Sequence, residues 1–332
     1  MENKTFRVMV VEETADHKFN RKITKKSLNE LPEGEVLIKV MYSSLNYKDA
    51  LSASGNKGVT RNYPHTPGID AAGIVEESLS DDFESGEEVI VTSYDLGMNT
   101  SGGFGEYIRV PADWVVKLPD NLSLKESMIY GTAGFTAGLS IHKMSHTVKP
   151  DQGEILVTGA SGGVGSIAVA ILVKAGYKVV AVSGKTEEKQ FFMDLGVEEV
   201  ITREDASDTS GRPILKGRWA GVIDTVGGDI LATAIKATKY GGAVTCCGNV
   251  ASPDLPINVF PFILRSVNLL GIDSQNCPMN IRKKIWEKLA GDWKLSNLED
   301  LSSEISLDDL DENIALILQG KKKGRTVVNL SQ

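Results

Sequence analysis

The strongest constraint on the fold is a cluster of small residues within positions 154–170. It separates a short apolar run of strand length from apolar residues that recur at helical spacing. The turn reads Ala160-x-Gly162-x-x-Gly165, a dinucleotide-binding fingerprint with alanine in the first glycine place. Glycine is needed in such a turn because a Cβ would keep the backbone away from a pyrophosphate. A strand, a tight turn and a helix whose N-terminus faces phosphates are therefore predicted.

The end of the next strand indicates which nicotinamide cofactor binds. The strand Lys178–Val182 closes a βαβ unit and is followed by Ser183, Gly184 and Lys185. An NAD enzyme would place a carboxylate about 20 residues beyond the glycines, whereas a hydroxyl and a cation suit a 2′-phosphate. Arg203, just after a third strand, adds a second cation. NADPH is the expected cofactor; the alternative is that Lys185 is a solvated lysine at a helix start.

Composition and charge exclude several classes of protein. At 332 residues, with 41% hydrophobic and 24% charged residues, the chain has the make-up of a soluble globular protein of two domains. The net charge of −8 argues against a nucleic-acid partner, which would need a basic surface. No apolar run could span a bilayer or serve as a signal peptide, so no membrane association and a cytoplasmic location are expected. Cys246, Cys247 and Cys277 form no CxxC pair and are expected to be reduced.

The order of predicted elements separates two kinds of domain. Up to about residue 118 the chain shows short strands between Gly/Pro turns, as in an irregular, barrel-like β domain. After Pro150, strands alternate with helices, which predicts a doubly wound parallel sheet. A last strand, Arg325–Leu330, is expected to return to the first domain. The predicted fold class is α/β, with residues 1–124 and 274–332 in the β domain and 125–273 in the dinucleotide-binding domain.

Five further segments carry a resemblance to a known family. They are Ser43–Asp49, Pro67–Asp70, Gly131–Ala137, Pro261–Arg265 and Leu270–Ser274. Together with the order of the domains, they resemble the quinone oxidoreductase branch of the medium-chain dehydrogenase/reductase superfamily, and within it the acrylyl-CoA reductase group of the YhdH/YhfP type. The resemblance covers essentially the whole chain. It implies a GroES-like catalytic domain and a Rossmann-type NADP-binding domain.

The residues argue against zinc at the positions that zinc enzymes of this superfamily use. Asn46 stands where those enzymes carry a cysteine, and Gly68-Ile69-Asp70 replaces their Gly-His-Glu segment. Catalytic zinc needs three N, S or O ligands from the protein. Four histidines show no ligand spacing with cysteines: His17, His65, His142 and His146. We therefore expect a zinc-independent enzyme without a metal site.

Without a Lewis acid, alcohol oxidation is disfavoured, and reduction of an acceptor that is already electron-poor is favoured. The resemblance implies that Tyr47 lies at the nicotinamide, with Asn46 and Asp49 in the same cleft. Asn46 can donate an amide hydrogen bond, and Tyr47 can donate a proton or pack on the ring. Alternatively, Tyr47 is a packed interdomain aromatic residue and Asp49 is a helix cap.

The resemblance also implies cofactor contacts besides Tyr47. They are Ser161, Gly162, Gly163, Val164, Ser183, Gly184, Lys185, Arg203, Asn249, Ile263 and Ser274. Asn249 follows a strand of the parallel sheet, at the carboxyl edge where ligands bind in such sheets.

Three functions are compatible with these residues. The first is NADPH-dependent reduction of acrylyl-CoA to propanoyl-CoA, in which Lys57, Arg61 or Arg265 would bind CoA phosphates. The second is NADPH:quinone reduction, which needs no phosphate-binding cations, and the third is a non-catalytic NADPH-binding protein. The expected partner is thus a small enoyl-CoA or quinone.

A second copy of the chain is a further expected partner. Val267–Ile272 is apolar and would lie at a sheet edge, where an unpaired strand favours pairing across a two-fold axis. A homodimer through this strand is predicted.

Overall fold

The structure is a computed structural model that describes residues 4–184 and 189–331. These residues form two compact units. The first unit comprises the residues up to 132 together with 275–290 and those from 297 onward, and the second comprises 133–274 and 291–296. Within the described ranges no helix is long and apolar enough to cross a membrane.

The first unit is built mainly from antiparallel strands. Its N-terminal elements are β1 (Thr5–Glu13), β2 (Phe19–Ser27), β3 (Val36–Ser44), α1 (Tyr47–Ser52), β4 (Asp70–Ser78), β5 (Glu88–Thr92), β6 (Tyr107–Val110), β7 (Val115–Lys117) and the start of α2 (Leu124–Met144). β1 and β2 form a two-stranded sheet, and isolated bridges join Val8 to Gly105 and Val11 to His65, whereas β3 pairs with both β4 and β6. The branching at β3 gives the irregular β architecture that short strands between Gly/Pro turns predict.

The second unit contains a six-stranded parallel sheet with helices between its strands. Its elements are β8 (Glu154–Val157), α3 (Gly163–Lys174), β9 (Lys178–Val182), α4 (Lys189–Asp194), β10 (Glu199–Ile201), β11 (Trp219–Asp224), α5 (Gly228–Lys236), β12 (Thr238–Cys246), α6 (Phe260–Arg265) and β13 (Asn268–Gly271). The strand order is β10-β9-β8-β11-β12-β13, which is the Rossmann order counted from the first strand of the unit. The predicted doubly wound parallel sheet is confirmed.

The chain then completes the first unit. The remaining elements are α7 (Met279–Ala290), β14 (Ser302–Ser306), α8 (Leu310–Leu318) and β15 (Arg325–Asn329). β15 pairs antiparallel with β3 and parallel with β14, so the predicted return of the last strand is confirmed.

Each unit has its own apolar core. In the first unit the inward-facing residues of the sheet, such as Val40, Val91 and Val328, pack with Ile314 of α8. In the second unit, Leu156 and Val222 of the sheet pack against Leu231 of α5. Burial of these side chains determines where the strands end. The candidate functional residues come next to those ends in the sequence.

Two strands were not predicted, and one is shorter than predicted. β2 contains no fully buried residue and β14 is similarly exposed, so neither shows the apolar alternation that identifies a strand. The glycine turn and the apolar residues after it predict one strand over Gly102–Val110, but β6 begins only at Tyr107. Its glycines instead approach the backbone of Gly68 and Asp70, where a Cβ would collide.

Candidate active site

The first candidate site forms where β3 ends and α1 begins. Asn46 is the N-cap of α1, and its backbone N–H donates to Asp49 Oδ2 at 2.8 Å. The predicted alternative role of Asp49 as a helix cap therefore has a direct structural counterpart. Tyr47, the first residue of α1, is 41% exposed, and its hydroxyl makes no hydrogen bond with the described residues.

Asp49 also connects α1 to the segment that enters β4. Its Oδ1 accepts the Ile69 N–H at 2.7 Å, and its Oδ2 accepts Asn46 Nδ2 at 3.1 Å. The carboxyl group is fully buried. Burial, together with the nearby Asp70 carboxylate, raises the pKa of Asp49 to about 7, although its three N–H donors oppose the shift.

Asp70, the first residue of β4, is the second buried carboxylate. Its Oδ2 accepts Ser44 Oγ at 2.6 Å and Asn46 Nδ2 at 2.8 Å. Its Oδ1 accepts Thr132 Oγ1 at 2.6 Å, and the Thr132 N–H lies 2.9 Å from Oδ2. That N–H points at Asp70 because α2 breaks at Gly131, where φ is 49°.

Arg325 of β15 brings the only cation into this group of described residues. Its Nε donates to Ile129 O at 2.9 Å, Nη1 to Asn46 Oδ1 at 3.1 Å and Nη2 to Ser44 Oγ at 2.8 Å. Nη2 also lies 3.9 Å from Asp70 Oδ2. We call Ser44, Asn46, Asp49, Asp70, Thr132 and Arg325 the polar cluster.

The polar cluster does not fit zinc. The oxygens of Asp49 and Asp70 already accept N–H and O–H donors, and a guanidinium stands beside Asp70. A metal ion would have to displace these donors and tolerate the neighbouring positive charge. Among the described residues, no group of three or more His, Cys, Asp or Glu side chains could hold a metal ion.

The second candidate site is the glycine turn between β8 and α3. Gly159 has φ of 58°, and a Cβ there would come within 2.3 Å of Thr225 Oγ1. A Cβ on Gly165 would come within 2.3 Å of Gly159 O, so the start of α3 approaches the turn closely. Ser161, Gly162, Gly163 and Val164 stand at this helix start, partly exposed. The first N–H groups of a helix lack carbonyl partners within it, so this turn fits the pyrophosphate of a dinucleotide.

Neighbouring strand ends hold the turn in place. Thr158 Oγ1 donates to Asp224 Oδ1 at 2.7 Å and accepts the Thr225 N–H at 3.0 Å. Asp224 Oδ2 accepts the Gly227 N–H at 2.9 Å. Burial raises the pKa of Asp224 from its ordinary value, and these bonds oppose the shift.

Gly184 and Arg203 meet beyond the end of β9. A Cβ on Gly184 would lie 2.9 Å from Arg203 Nε, so the guanidinium rests against the glycine backbone. Arg203 is exposed, and its side chain makes no ion pair with the described residues. Ser183 is buried beside it and donates its N–H to Ile201 O. Lys185 lies outside the described residues.

The remaining predicted cofactor residues also belong to the second unit. Asn249 is exposed beside Gly227, whose Cβ would lie 3.3 Å from Asn249 Cα. Ile263 of α6 is 67% exposed, and Ser274 is partly buried after β13. The three predicted catalytic residues Asn46, Tyr47 and Asp49 belong to the first unit.

Sequence reasoning missed the residues that support both sites. Ser44, Thr132 and Asp70 lie in segments that carried the family resemblance, but no role was assigned to them. Arg325 gave no signal, because the residue that it contacts, Asn46, lies 279 positions away. Thr158 and Asp224 were visible only as polar residues at strand ends, a position that could have identified them.

Three other cations were predicted to bind CoA phosphates. Lys57 Nζ pairs with Glu13 Oε2 at 2.6 Å and lies 4.7 Å from the Tyr63 ring centre. Arg61 is exposed, and its side chain has no partner among the described residues. The guanidinium of Arg265 donates to Lys236 O, Thr238 O and Leu215 O, so it caps backbone carbonyls within the second unit.

Comparisons with known proteins agree with this geometry. Residues 32–120 match the alcohol dehydrogenase GroES-like domain, and residues 163–291 match the zinc-binding dehydrogenase family. The chain is 47% identical over 306 residues to "Putative quinone oxidoreductase YhfP" of Bacillus subtilis, covering 92% of this chain and 93% of the relative. A solved YhfP structure with NAD bound has a TM-score of 0.96 at 45% identity, covering 99% of this chain and 100% of that chain.

Two further relatives extend the comparison. Acrylyl-CoA reductase AcuI of Ruegeria pomeroyi is 41% identical over 328 residues, covering 98% of this chain and 99% of the relative. The YhdH oxidoreductase of Salmonella enterica, solved with NADP, has a TM-score of 0.95 at 40% identity, covering 97% of this chain and 99% of that chain. The chain is therefore an oxidoreductase of the medium-chain dehydrogenase/reductase superfamily, and it belongs to the zinc-independent family of the YhdH/YhfP and acrylyl-CoA reductase type.

Proposed function

We propose that this chain is an NADPH-dependent reductase of an activated C=C bond, with acrylyl-CoA, converted to propanoyl-CoA, as its substrate. The observation that carries the proposal is the combination of the exposed Tyr47, whose hydroxyl has no hydrogen bond within the described ranges, and a polar cluster that does not fit zinc. Such a site lacks a Lewis acid to activate an alcohol, but it can protonate an acceptor that is already electron-poor. The AcuI relative supports the choice of acceptor.

NADPH is the proposed cofactor, and bound NADPH would supply the hydride. The residues that would hold it are Tyr47, Ser161, Gly162, Gly163, Val164, Ser183, Gly184, Lys185, Arg203, Asn249, Ile263 and Ser274. The Arg203 guanidinium, exposed and without an ion-pair partner among the described residues, supports binding of a 2′-phosphate. The YhdH structure with NADP supports the same choice, whereas the YhfP structure with NAD makes NADH the necessary comparison.

In the proposed reaction the β-carbon of the enoyl thioester accepts the hydride, and negative charge builds on the carbonyl oxygen. Tyr47 then donates its proton to the α-carbon, so that one C=C bond becomes two C–H bonds. The hydrogen bonds of the Asn46 amide are made within the polar cluster. Asn46 and Asp49 therefore act by holding Tyr47 at the start of α1.

Arg61 is the proposed contact for a CoA phosphate. It is exposed and its side chain has no partner among the described residues, whereas Lys57 is paired with Glu13 and Arg265 donates to backbone carbonyls. Arg61→Ala should raise KM for acrylyl-CoA about tenfold, the effect of losing one charge-assisted contact. A short enone without CoA is the control, since its KM should not change.

The quinone oxidoreductase activity named for YhfP is the second candidate. Quinones need no phosphate-binding cation, so the exposed guanidinium of Arg61 favours the CoA ester. The deciding experiment follows NADPH oxidation with acrylyl-CoA and, separately, with a benzoquinone, and repeats both with NADH. Turnover of the thioester with NADPH supports the proposal. Turnover of the quinone alone would favour quinone reduction as the function. Turnover of neither acceptor would favour a non-catalytic NADPH-binding protein.

We propose that the chain forms a homodimer through the edge strand within Val267–Ile272. β13 lies at the edge of the parallel sheet, and apolar residues of β13 and of the preceding segment are exposed: Val259, Phe260, Leu264 and Leu269. Pairing with a second copy would cover that surface and satisfy the strand edge. Leu269→Lys should yield a monomer in sedimentation velocity at micromolar concentration, and a wild-type monomer would contradict the proposal.

A cytoplasmic location is also proposed. Cys246 and Cys247 are free cysteines, and burial raises the pKa of the Cys247 thiol to about 12. Unpaired cysteines suit a reducing compartment. Cell fractionation with an antibody to the chain would test the location.

A further inference from the structure

We infer that Arg325 is a positioning residue for Tyr47, which it orients through the side-chain amide of Asn46. The inference rests on the proposed function, in which Tyr47 donates the proton. Arg325 lies on β15, has a buried guanidinium, and makes no hydrogen bond with the Tyr47 hydroxyl among the described residues.

The first step is the orientation of the Asn46 amide. Arg325 Nη1 donates to Asn46 Oδ1 at 3.1 Å, while Asn46 Nδ2 donates to Asp70 Oδ2 at 2.8 Å. A rotated amide would point its oxygen at the carboxylates of Asp49 and Asp70 and its NH₂ group at the guanidinium. Both contacts would be repulsive, so the cation and the two carboxylates select the same orientation.

The second step leads from Asn46 to Tyr47. Asn46 is the N-cap of α1, and its backbone N–H is held by Asp49. Tyr47 is the next residue, and its hydroxyl makes no hydrogen bond with the described residues, so its direction depends on the backbone at Asn46. If the Asn46 side chain moves more freely, the first turn of α1, a helix of only six residues, therefore moves more freely as well.

The third step concerns charge. Asp49 and Asp70 are both fully buried, and Arg325 is the buried cation that faces them. Removing that cation leaves two buried carboxylates without a counter-charge, which a protein interior tolerates poorly. The pKa of Asp49, already raised, would rise further, and a protonated Asp49 would hold the Asn46 N–H less strongly.

The cluster has little room in which to rearrange. A Cβ on Gly131 would lie 2.8 Å from Arg325 Nη2 and 2.6 Å from Ser44 Oγ. Lysine at position 325 keeps the charge but lacks the planar fork that reaches Ile129 O, Asn46 Oδ1 and Ser44 Oγ together. It should therefore restore only part of the function.

A double-mutant cycle tests the inference. Arg325→Met should lower kcat for acrylyl-CoA reduction about 30-fold, within the range for a misplaced catalytic group, and leave KM for NADPH within about threefold. In a Tyr47→Phe background the same change should lower kcat less than about threefold, because the group that Arg325 positions is already absent. Arg325→Lys should recover part of the lost kcat.

Val328→Ala is the matched control, since Val328 is a buried core residue on the same strand that does not belong to the polar cluster. It should destabilise the first unit without changing kcat. Additive effects of the Arg325 and Tyr47 changes, or an equal loss of kcat in Val328→Ala, would overturn the inference.

If Arg325→Met does not fold, Arg325→Lys is used in the same cycle. A wild-type chain that reduces neither acrylyl-CoA nor a quinone overturns the proposed function instead, and this is measured first.

Discussion

A Cβ on Gly131 would stand 2.5 Å from the Oδ2 atom of Asp70. The glycine therefore allows α2 to break at the one place where the next residue, Thr132, can donate both its N–H and its hydroxyl to the Asp70 carboxylate. The helix break and the buried carboxylate depend on each other.

Gly131→Ala should destabilise the chain by about 3 kcal/mol or more, because the backbone angles suit only glycine and the new methyl group meets Asp70. Gly320→Ala is the matched control: its φ is 67°, but a Cβ there meets nothing within 4 Å, so it should cost only about 1 kcal/mol. Urea unfolding of both variants measures the difference. Equal losses would show that the contact with Asp70 is unimportant.

Asp49 should make stability depend on pH. Its pKa is about 7 in the folded chain, against 3.8 for an ordinary aspartate, so the folded state binds a proton that the unfolded state has released. The stability contributed by this group is present at low pH and is lost as pH rises through about 7, by at most about 1.4 kcal/mol per pH unit. Asp49→Asn removes the titration, so the wild type should lose stability relative to this variant between about pH 5 and about pH 8. If the unfolding midpoints of the wild type and of Asp49→Asn differed by the same amount at both pH values, the raised pKa of Asp49 would be contradicted.

Arg203 should select the cofactor. Arg203→Gln removes the cation beside Gly184 and should reduce the NADPH preference over NADH, measured as the ratio of kcat/KM, by about 10- to 100-fold. The matched control is Arg212→Gln, another exposed arginine of the second unit. It should leave the ratio unchanged. An unaltered ratio in Arg203→Gln would assign the discrimination to another residue.

Thr158 should link the stability of the second unit to cofactor binding. Thr158→Val removes the hydroxyl between Asp224 and Thr225, costing about 1–3 kcal/mol, and should raise KM for NADPH about tenfold. Thr238→Val is the control, because its buried hydroxyl also bonds within the second unit, to Ala234 O. It should lower stability by a similar amount without changing KM. If both variants had the same KM for NADPH, Thr158 would have no specific effect on the cofactor site.

Local sequence predicts the second unit well. The small-residue turn after β8 and the alternation of apolar strands with helices are both local patterns, and together they determine the parallel sheet. Polar strands such as β2 escape prediction because their residues are held by pairing with β1 rather than by burial. Backbone hydrogen bonds leave no mark in the hydropathy pattern.

The polar cluster could be predicted only in part. Asn46, Tyr47 and Asp49 are adjacent and form one motif, so sequence reasoning found them together. Their orientation depends on Asp70, Thr132 and Arg325, which come from β4, the break in α2 and β15. Contacts of this kind come from the tertiary fold, and a single sequence does not reveal which distant polar residue becomes buried beside which.

The position of Arg325 along the chain has a consequence for biosynthesis. The ribosome completes all the strands of the parallel sheet before it makes β15, so the nucleotide-binding turn can acquire its native form on a nascent chain. The Asn46 amide, made much earlier, meets its guanidinium only when residue 325 has emerged. We therefore expect a ribosome stalled at residue 320 to display the complete parallel sheet while the Asn46 amide still lacks its guanidinium partner.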